Sequence, residues 1–159
     1  PIVRAMPNTP AAISKGITAI VGNAKAGSRS LDEAETLLSA VGEVVRLSEE
    51  GQIDAVTGVS GSGPAYVFHM IECMAAAGVA QGLPEELAMQ LAKATVAGAG
   101  ALAMQAEEDP AQLRVNVTSP NGTTQAALEV LMDEAEGFPP LLKRAVAAAA
   151  DRSRELANG

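Results

Sequence analysis

Residues 83–108 read LPEELAMQLAKATVAGAGALAMQAEE. Alanine, leucine and other straight-chain residues dominate this run and favour a helix. Pro84 stands near its first turn, and Glu85 and Glu86 suit the positive end of the helix dipole. The faces of such a helix are made of Ala and Gly, so they bury surface only by letting another helix come close. Hydrophobic residues make up 48% of the chain but aromatics only 2%. A core must therefore be assembled from small and aliphatic side chains. That kind of core means close helix–helix packing, often across subunits.

The rest of the chain from Ile53 has the same texture. Pro64 fits the first turn of a helix running to Ala77, with Gly78 and Gly82 ending it. The run DPAQL starts a short helix, with Asp109 as cap, Pro110 in the first turn and Gln112 at the capping-box position. Further helices are expected over 124–134 and 140–156. The first 50 residues differ. IVRAM and ITAIV are short β-rich runs separated by Pro and Gly. Ser30 to Ala40 reads as a helix, with Ser30 as N-cap and Glu33 at the capping-box spacing. Gly42 stops it, and EVVRL reads as a third strand. Strand, strand, helix, strand implies α/β packing. The expected fold class is thus mainly α, a helical module preceded by a small α/β part.

The formal net charge is -8, with no Lys/Arg cluster. That argues against nucleic acid or an anionic membrane surface as partner. No segment reaches ~18 uninterrupted apolar residues; residues 87–106 come closest, interrupted by Gln90, Lys93 and Gln105. Cys73 is the single cysteine and His69 the single histidine. Neither an internal disulfide nor a Cys or His-rich metal site is expected, and a reducing, cytoplasmic compartment fits. The chain opens on PIVRAMPNTP without Met and with no signal-peptide pattern, and it reads as the interior of a longer gene product.

Four stretches bear on chemistry. GAGALA (98–103) matches the dinucleotide pattern G-x-G-x-x-A, but that fingerprint works only between a strand and a helix, and here it lies within a helix. Close helix packing explains its glycines. His69 and Cys73, one turn apart among apolar neighbours, read as core or interface residues. VTGVSGSGPAYVF (56–68) admits two readings: a loop with a tight helix entry, or a backbone surface approached closely by a ligand. VTSPNGTTQAAL (117–128) likewise admits a capped turn or a small-anion site. Pro120 fixes one φ, Asn121 and Gly122 tolerate positive φ, and Thr123 or Thr124 can cap the next helix. Its unpaired N–H groups suit a carboxylate, and a threonine hydroxyl beside them can donate and accept.

Taken in order, MPNTP (6–10), IDAVTGVSGSGPAYVF (53–68), GLPEELA and DPAQLRVNVTSPNGTT (109–124) closely resemble the pyrroline-5-carboxylate reductase family. The resemblance spans nearly the whole chain. It implies a Rossmann domain binding NADPH or NADH, of which residues 1–52 are the C-terminal part, and a helical dimerisation and substrate-binding domain over 53–159. The Gly-rich turn holding the pyrophosphate would lie upstream of Pro1. It implies hydride transfer from nicotinamide to the C=N carbon of a cyclic imine, 1-pyrroline-5-carboxylate, giving L-proline. It places Met6, Pro7, Asn8 and Thr9 at the cofactor's nicotinamide end, and Ser60, Gly61, Ser62, Gly63 and Glu107 at the cleft. It puts the substrate carboxylate on Val117, Ser119, Gly122, Thr123 and Thr124, with Thr124 also at the ring nitrogen. A hydroxyl there supports the nitrogen as its charge changes; the proton itself comes from water or an already protonated imine. The family has Gly-Gly where this chain has Asn121-Gly122, and Asn tolerates the left-handed backbone. A homodimer or larger homo-oligomer is implied, and no metal.

Two other readings differ in class. One is a dimerisation module without activity of its own. The other is a β-hydroxyacid-type dehydrogenase, which would rely on a catalytic lysine. Lys93 is the only lysine in the central helices, and its AKAT context carries no matching motif.

Overall fold

Three strands, β1 (Val3–Met6), β2 (Gly16–Gly22) and β3 (Gly42–Arg46), form a sheet in that order in the computed structural model, which describes residues 1–158. β1 runs antiparallel to β2, with Val3 opposite Gly22; β3 runs parallel to it, with Gly16 opposite Gly42. Being central and covered, β2 buries Thr18, Ala19, Ile20 and Val21 in succession. Such a strand reads as a continuous apolar run and not as an alternating one. The helix α1 (Ser28–Leu38) connects β2 to its parallel neighbour and packs on both. Arg46, at the end of β3, donates through Nε to Glu35 at 2.7 Å and through a terminal nitrogen to Asp32 at 2.6 Å, fastening β3 to α1. Those bonds, Asp32's first, raise the guanidinium pKa above its ordinary value. Gly42 has φ 146, and a Cβ there would lie 2.0 Å from the Gly16 carbonyl oxygen, so only glycine fits where the two strands start together.

The N-cap of α1 is Gly27, with no side-chain bond, and Ser30 lies inside the helix. Glu33 is taken by Arg29 at 3.0 Å and does not turn back toward the helix start. The expected Ser30 capping box is therefore absent.

From Ile53 the backbone is helical. α2 (Ile53–Val56) runs into one wide turn, Thr57–Gly61, closed by the Ser62 N–H on the Thr57 carbonyl at 2.8 Å. The stretch expected to open as a glycine loop is thus a helix with an i→i+5 turn. Gly58 explains it: a Cβ there would lie 2.7 Å from the Val146 carbonyl of the last helix, numbered α7 below (Phe138–Asn158). The helices touch backbone to side-chain-free backbone. Nearby, the Ser153 hydroxyl donates to Asp54 at 2.6 Å. These elements belong to one compact unit, Pro1–Ala65 with the chain from Leu142 onward.

The second unit is Tyr66–Leu141. It holds most of α3 (Gly63–Ala80), then α4 (Glu85–Gln105), α5 (Pro110–Asn116) and α6 (Thr123–Leu131), and the first residues of α7. Gly78 lies within α3 and does not end it. A Cβ there would sit 3.3 Å from those of Ala88 and Leu83's side chain, so Gly78 lets α3 and α4 approach. Gly82, at φ 94, turns the chain between them. The buried seam is Ala75 against Ala88 and Ala92, flanked by Ile71 and Met89. At ~0.8 kcal/mol per buried methyl group, three alanines supply only about 2 kcal/mol. Meanwhile Phe68, Leu87, Leu91, Leu102, Met104 and Val130 are exposed. Among the described residues α4 alone meets the length and hydropathy of a membrane-crossing helix, with 11% of its most apolar window buried.

Candidate functional site

In the first unit, β1 ends at Met6 and leads through Pro7 and Asn8 into a tight turn, Thr9–Ile13. The Asn8 side-chain oxygen accepts the Ile17 N–H at 3.0 Å, tying that turn to the start of β2. Ser14 closes the turn in the left-handed region, φ 56. Met6 Sδ lies 3.5 Å from where a Cβ on Gly61 would stand. The structure therefore brings Met6, the first residue of MPNTP, up to the wide turn Thr57–Gly61. Ser60 is not free on it, because its hydroxyl donates to the Val56 carbonyl at 3.1 Å. Gly63 has open space where a Cβ would be.

In the second unit, Glu107 sits exposed in the bend before α5. Asp109 caps α5 as expected, accepting the Gln112 N–H at 2.8 Å. The reciprocal half of the capping box is missing, since Gln112 donates its side-chain amide to Asn116 at 2.8 Å. The chain then passes Val117, exposed, and Thr118, whose hydroxyl donates back to the Arg114 carbonyl at 2.6 Å.

Ser119 to Gly122 form a tight turn closed by the Gly122 N–H on the Ser119 carbonyl at 3.0 Å. Asn121 takes the left-handed backbone at φ 56, as expected; Gly122 does not, with φ -86. Gly122, not Thr123 or Thr124, is the N-cap of α6, and no side chain caps it. The two threonines are the first helical residues. Thr124 is half-buried and Thr123 exposed. The first N–H groups of any helix lack intrahelical partners, and α6 has no acidic residue in its first turn. Its start is a small, partly positive cradle beside two hydroxyls.

One residue of this loop went unread in the sequence. Gln125 accepts the Asn121 N–H at 2.7 Å and donates to Glu129 at 3.3 Å. The only available signal was a Gln three positions after the helix cap. Gln125 and Glu129 also line a shallow groove of about 440 Å³ with Arg114, Thr118 and Met132. Beyond α6, Asp133 accepts the N–H groups of Ala135 and Glu136, each at 2.8 Å. Those bonds, Glu136's first, hold its carboxyl below the ordinary value.

His69 and Cys73 are exposed and do not enter the chain's own core. His69 pairs with Glu72 at 3.0 Å and stands 3.6 Å from the Cys73 sulfur. Gly98 and Gly100 lie inside α4 with open space around them, so no packing within the chain explains them and GAGALA is no phosphate turn.

Residues 50–156 match the family model described as pyrroline-5-carboxylate reductase dimerisation. The chain belongs to this family. The pyrroline-5-carboxylate reductase of Pseudomonas aeruginosa is 48% identical over 157 residues, covering 99% of this chain and 57% of the relative. That of Synechocystis sp. is 51% identical over 155 residues, 98% of this chain and 57% of its own length. Among solved structures, a pyrroline-5-carboxylate reductase from Coxiella burnetii superposes with a TM-score of 0.92 at 41% identity, covering 98% of this chain and 57% of that one. Plasmodium falciparum pyrroline carboxylate reductase with NADP bound gives 0.85 at 31% identity, over 98% of this chain and 62% of that one. The chain thus spans little more than half the length of these reductases. The mainly helical fold with a small α/β part, expected from the sequence, is what the family membership and these superpositions show.

Proposed function

We propose that this chain is part of a pyrroline-5-carboxylate reductase, which reduces 1-pyrroline-5-carboxylate to L-proline at the expense of NADPH or NADH. The observation that carries the proposal is a conjunction. The dimerisation-family match covers residues 50–156, and within it the turn Ser119–Gly122 delivers Thr123 and Thr124 to the uncapped start of α6. A carboxylate is the ligand such a start attracts. In this reading Val117, Ser119, Gly122, Thr123 and Thr124 surround the substrate carboxylate, Gly122 by its lack of a side chain since its N–H is spent on Ser119, and the Thr124 hydroxyl bonds the ring nitrogen. Supporting the nitrogen while the C=N bond is reduced favours the transition state over the bound imine. Glu107 would lie at the edge of the cleft.

We assign residues 1–52 to the C-terminal part of an NAD(P)-binding Rossmann domain and 53–159 to the helical dimerisation and substrate-binding domain. The change from mixed sheet to helix at Ile53 supports that boundary in the chain, while by compactness Ile53–Ala65 and the chain from Leu142 onward pack with the sheet. Met6, Pro7, Asn8 and Thr9 would face the nicotinamide end, with Ser60, Gly61, Ser62 and Gly63 beside them. The apolar Met6 side chain beside the side-chain-free Gly61 suits the uncharged reduced nicotinamide ring, so the residues fit that end of the cofactor. A bound NAD(P)H supplies the hydride; these residues orient it.

A homodimer, or a larger homo-oligomer built from it, accounts for the exposed Phe68, Leu87 and Leu91 and for the apolar α4 without a membrane. The net charge of -8 speaks against a nucleic-acid partner, and the single cysteine fits a reducing, cytoplasmic compartment.

The test is NAD(P)H oxidation by the complete reductase given pyrroline-5-carboxylate. Thr124→Ala should lower kcat by roughly a hundredfold, the loss typical of one transition-state donor. Unchanged turnover in that variant removes Thr124 from the mechanism. A reductase with no turnover of this imine removes the proposal.

A further inference from the structure

We infer that Gln125 is a positioning residue for the substrate loop, and that its lack of charge is part of that role. The inference rests on the reading of 117–124 as the carboxylate loop. Gln125 occupies the third position of α6, from which a Glu or Gln side chain can reach back toward the helix cap. Here it reaches one residue further. Its Oε1 accepts the Asn121 N–H at 2.7 Å, at the residue held in the left-handed region.

The other end of the same amide is also fixed. Nε2 donates to Glu129 Oε1 at 3.3 Å, one turn along the helix. An ionised carboxylate only accepts. Glu129 therefore selects the amide orientation, nitrogen toward itself and oxygen toward Asn121. The chain Glu129, Gln125, Asn121 sets the loop on the helix from one side. From within, the Gly122 N–H is spent on the Ser119 carbonyl at 3.0 Å. What remains for a ligand is the backbone start of α6 at Thr123, Thr124 and Gln125.

Charge decides why this position holds Gln. α4 begins with Glu85 and Glu86, and α5 is capped by Asp109. Asp109 accepts the Gln112 N–H and so occupies its helix start, while Glu85 and Glu86 set negative charge beside theirs. α6, like α1, α3 and α7, has no acidic residue in its first turn. A glutamate at 125 would hold the Asn121 N–H equally well, but it would set a negative charge beside the incoming carboxylate. Glutamine keeps the geometry and leaves the positive end of the helix to the substrate.

Two variants of the complete reductase separate geometry from charge. Wild-type turnover of pyrroline-5-carboxylate is measured first, and its absence overturns the proposed function together with this inference. Gln125→Met keeps the length and removes the acceptor. The Asn121 amide should then exchange faster with heavy water, and KM for the imine should rise roughly three- to tenfold, the loss of about one hydrogen bond. The fall in kcat should stay within about twofold, as for a binding effect. Gln125→Glu should keep the Asn121 amide protected and still raise KM. That increase should shrink as pH falls toward the ordinary glutamate pKa of about 4.3. A KM unchanged in both variants, with wild-type turnover intact, overturns the inference and leaves the proposed function standing.

Discussion

The two units solve the same problem in opposite ways. In the first, large aliphatic side chains are inside: Ile20 and Ile53 are fully buried, and β2 is covered along its length. In the second, the inside is alanine, while Phe68, Leu91, Leu102 and Met104 face outward. A central strand paired on both sides can enclose bulky residues within one chain. Two helices that meet through Gly78, Ala75, Ala88 and Ala92 come close and enclose little. The second unit therefore leaves large apolar side chains that this chain alone does not cover. The family's description as a dimerisation module is the counterpart of that geometry.

The contrast can be broken at its strongest point first. Ile20→Ala should cost about 4 kcal/mol of stability, as for a fully buried aliphatic residue left with a cavity. Denaturant titration should give the same loss at every protein concentration. A loss below about 1 kcal/mol would mean that the sheet is not the self-contained half.

Phe68→Asp addresses the other side. On an isolated chain an exposed substitution costs within about 0.5 kcal/mol. If a second copy covers Phe68, the variant should weaken self-association by roughly a hundredfold, about 3 kcal/mol, with stability falling on dilution. Light scattering across a dilution series reads this directly. An unaltered oligomer would show that the outward face of α3 is not the one covered.

Ala88→Leu sharpens the comparison at the seam. The Cβ of Ala88 lies 3.3 Å from where one on Gly78 would be. Added bulk should force α3 and α4 apart at about 2 kcal/mol, the usual cost of overpacking. A neutral result on thermal unfolding would mean that the seam is loose.

The smallest effect expected is at the turn after α6. Asp133 is held ionised by the N–H groups of Glu136 and Ala135, so its folded pKa lies below its unfolded one. That stabilisation is full above the unfolded value and is lost as pH falls through the folded one. Asp133→Asn should flatten the acid limb of the stability curve slightly; an identical acid limb would detach this residue from it.

Local chemistry made much of the fold legible. Val3–Met6, Gly16–Gly22 and Gly42–Arg46 are strands where β-rich runs lie between breakers. Asp109 caps α5, and Asn121 adopts positive φ before α6, as their side chains favour. The departures have different causes. Thr57–Gly61 has the composition of a loop and is helical because Gly58 meets Val146 from far along the chain. Ser30 has the spacing of a cap, but Arg29 captures Glu33. His69 and Cys73 are exposed on this chain, which removes the core half of their reading and leaves the interface half standing.

The candidate site divides along the same line. The sequence by itself determined which residue types stand at 117–124 and that a turn there feeds a helix, because Pro, Asn and Gly restrict φ whatever surrounds them. Only the tertiary structure decided which donors are spent. Gly122, and no hydroxyl, became the cap; Thr118 and Ser60 turned their hydroxyls back onto carbonyls four residues earlier; and Gln125 took the Asn121 N–H. A hydrogen bond depends on where two groups end up to within a few tenths of an ångström, and although these pairs are only four residues apart, residue type alone does not say which of several local partners each takes.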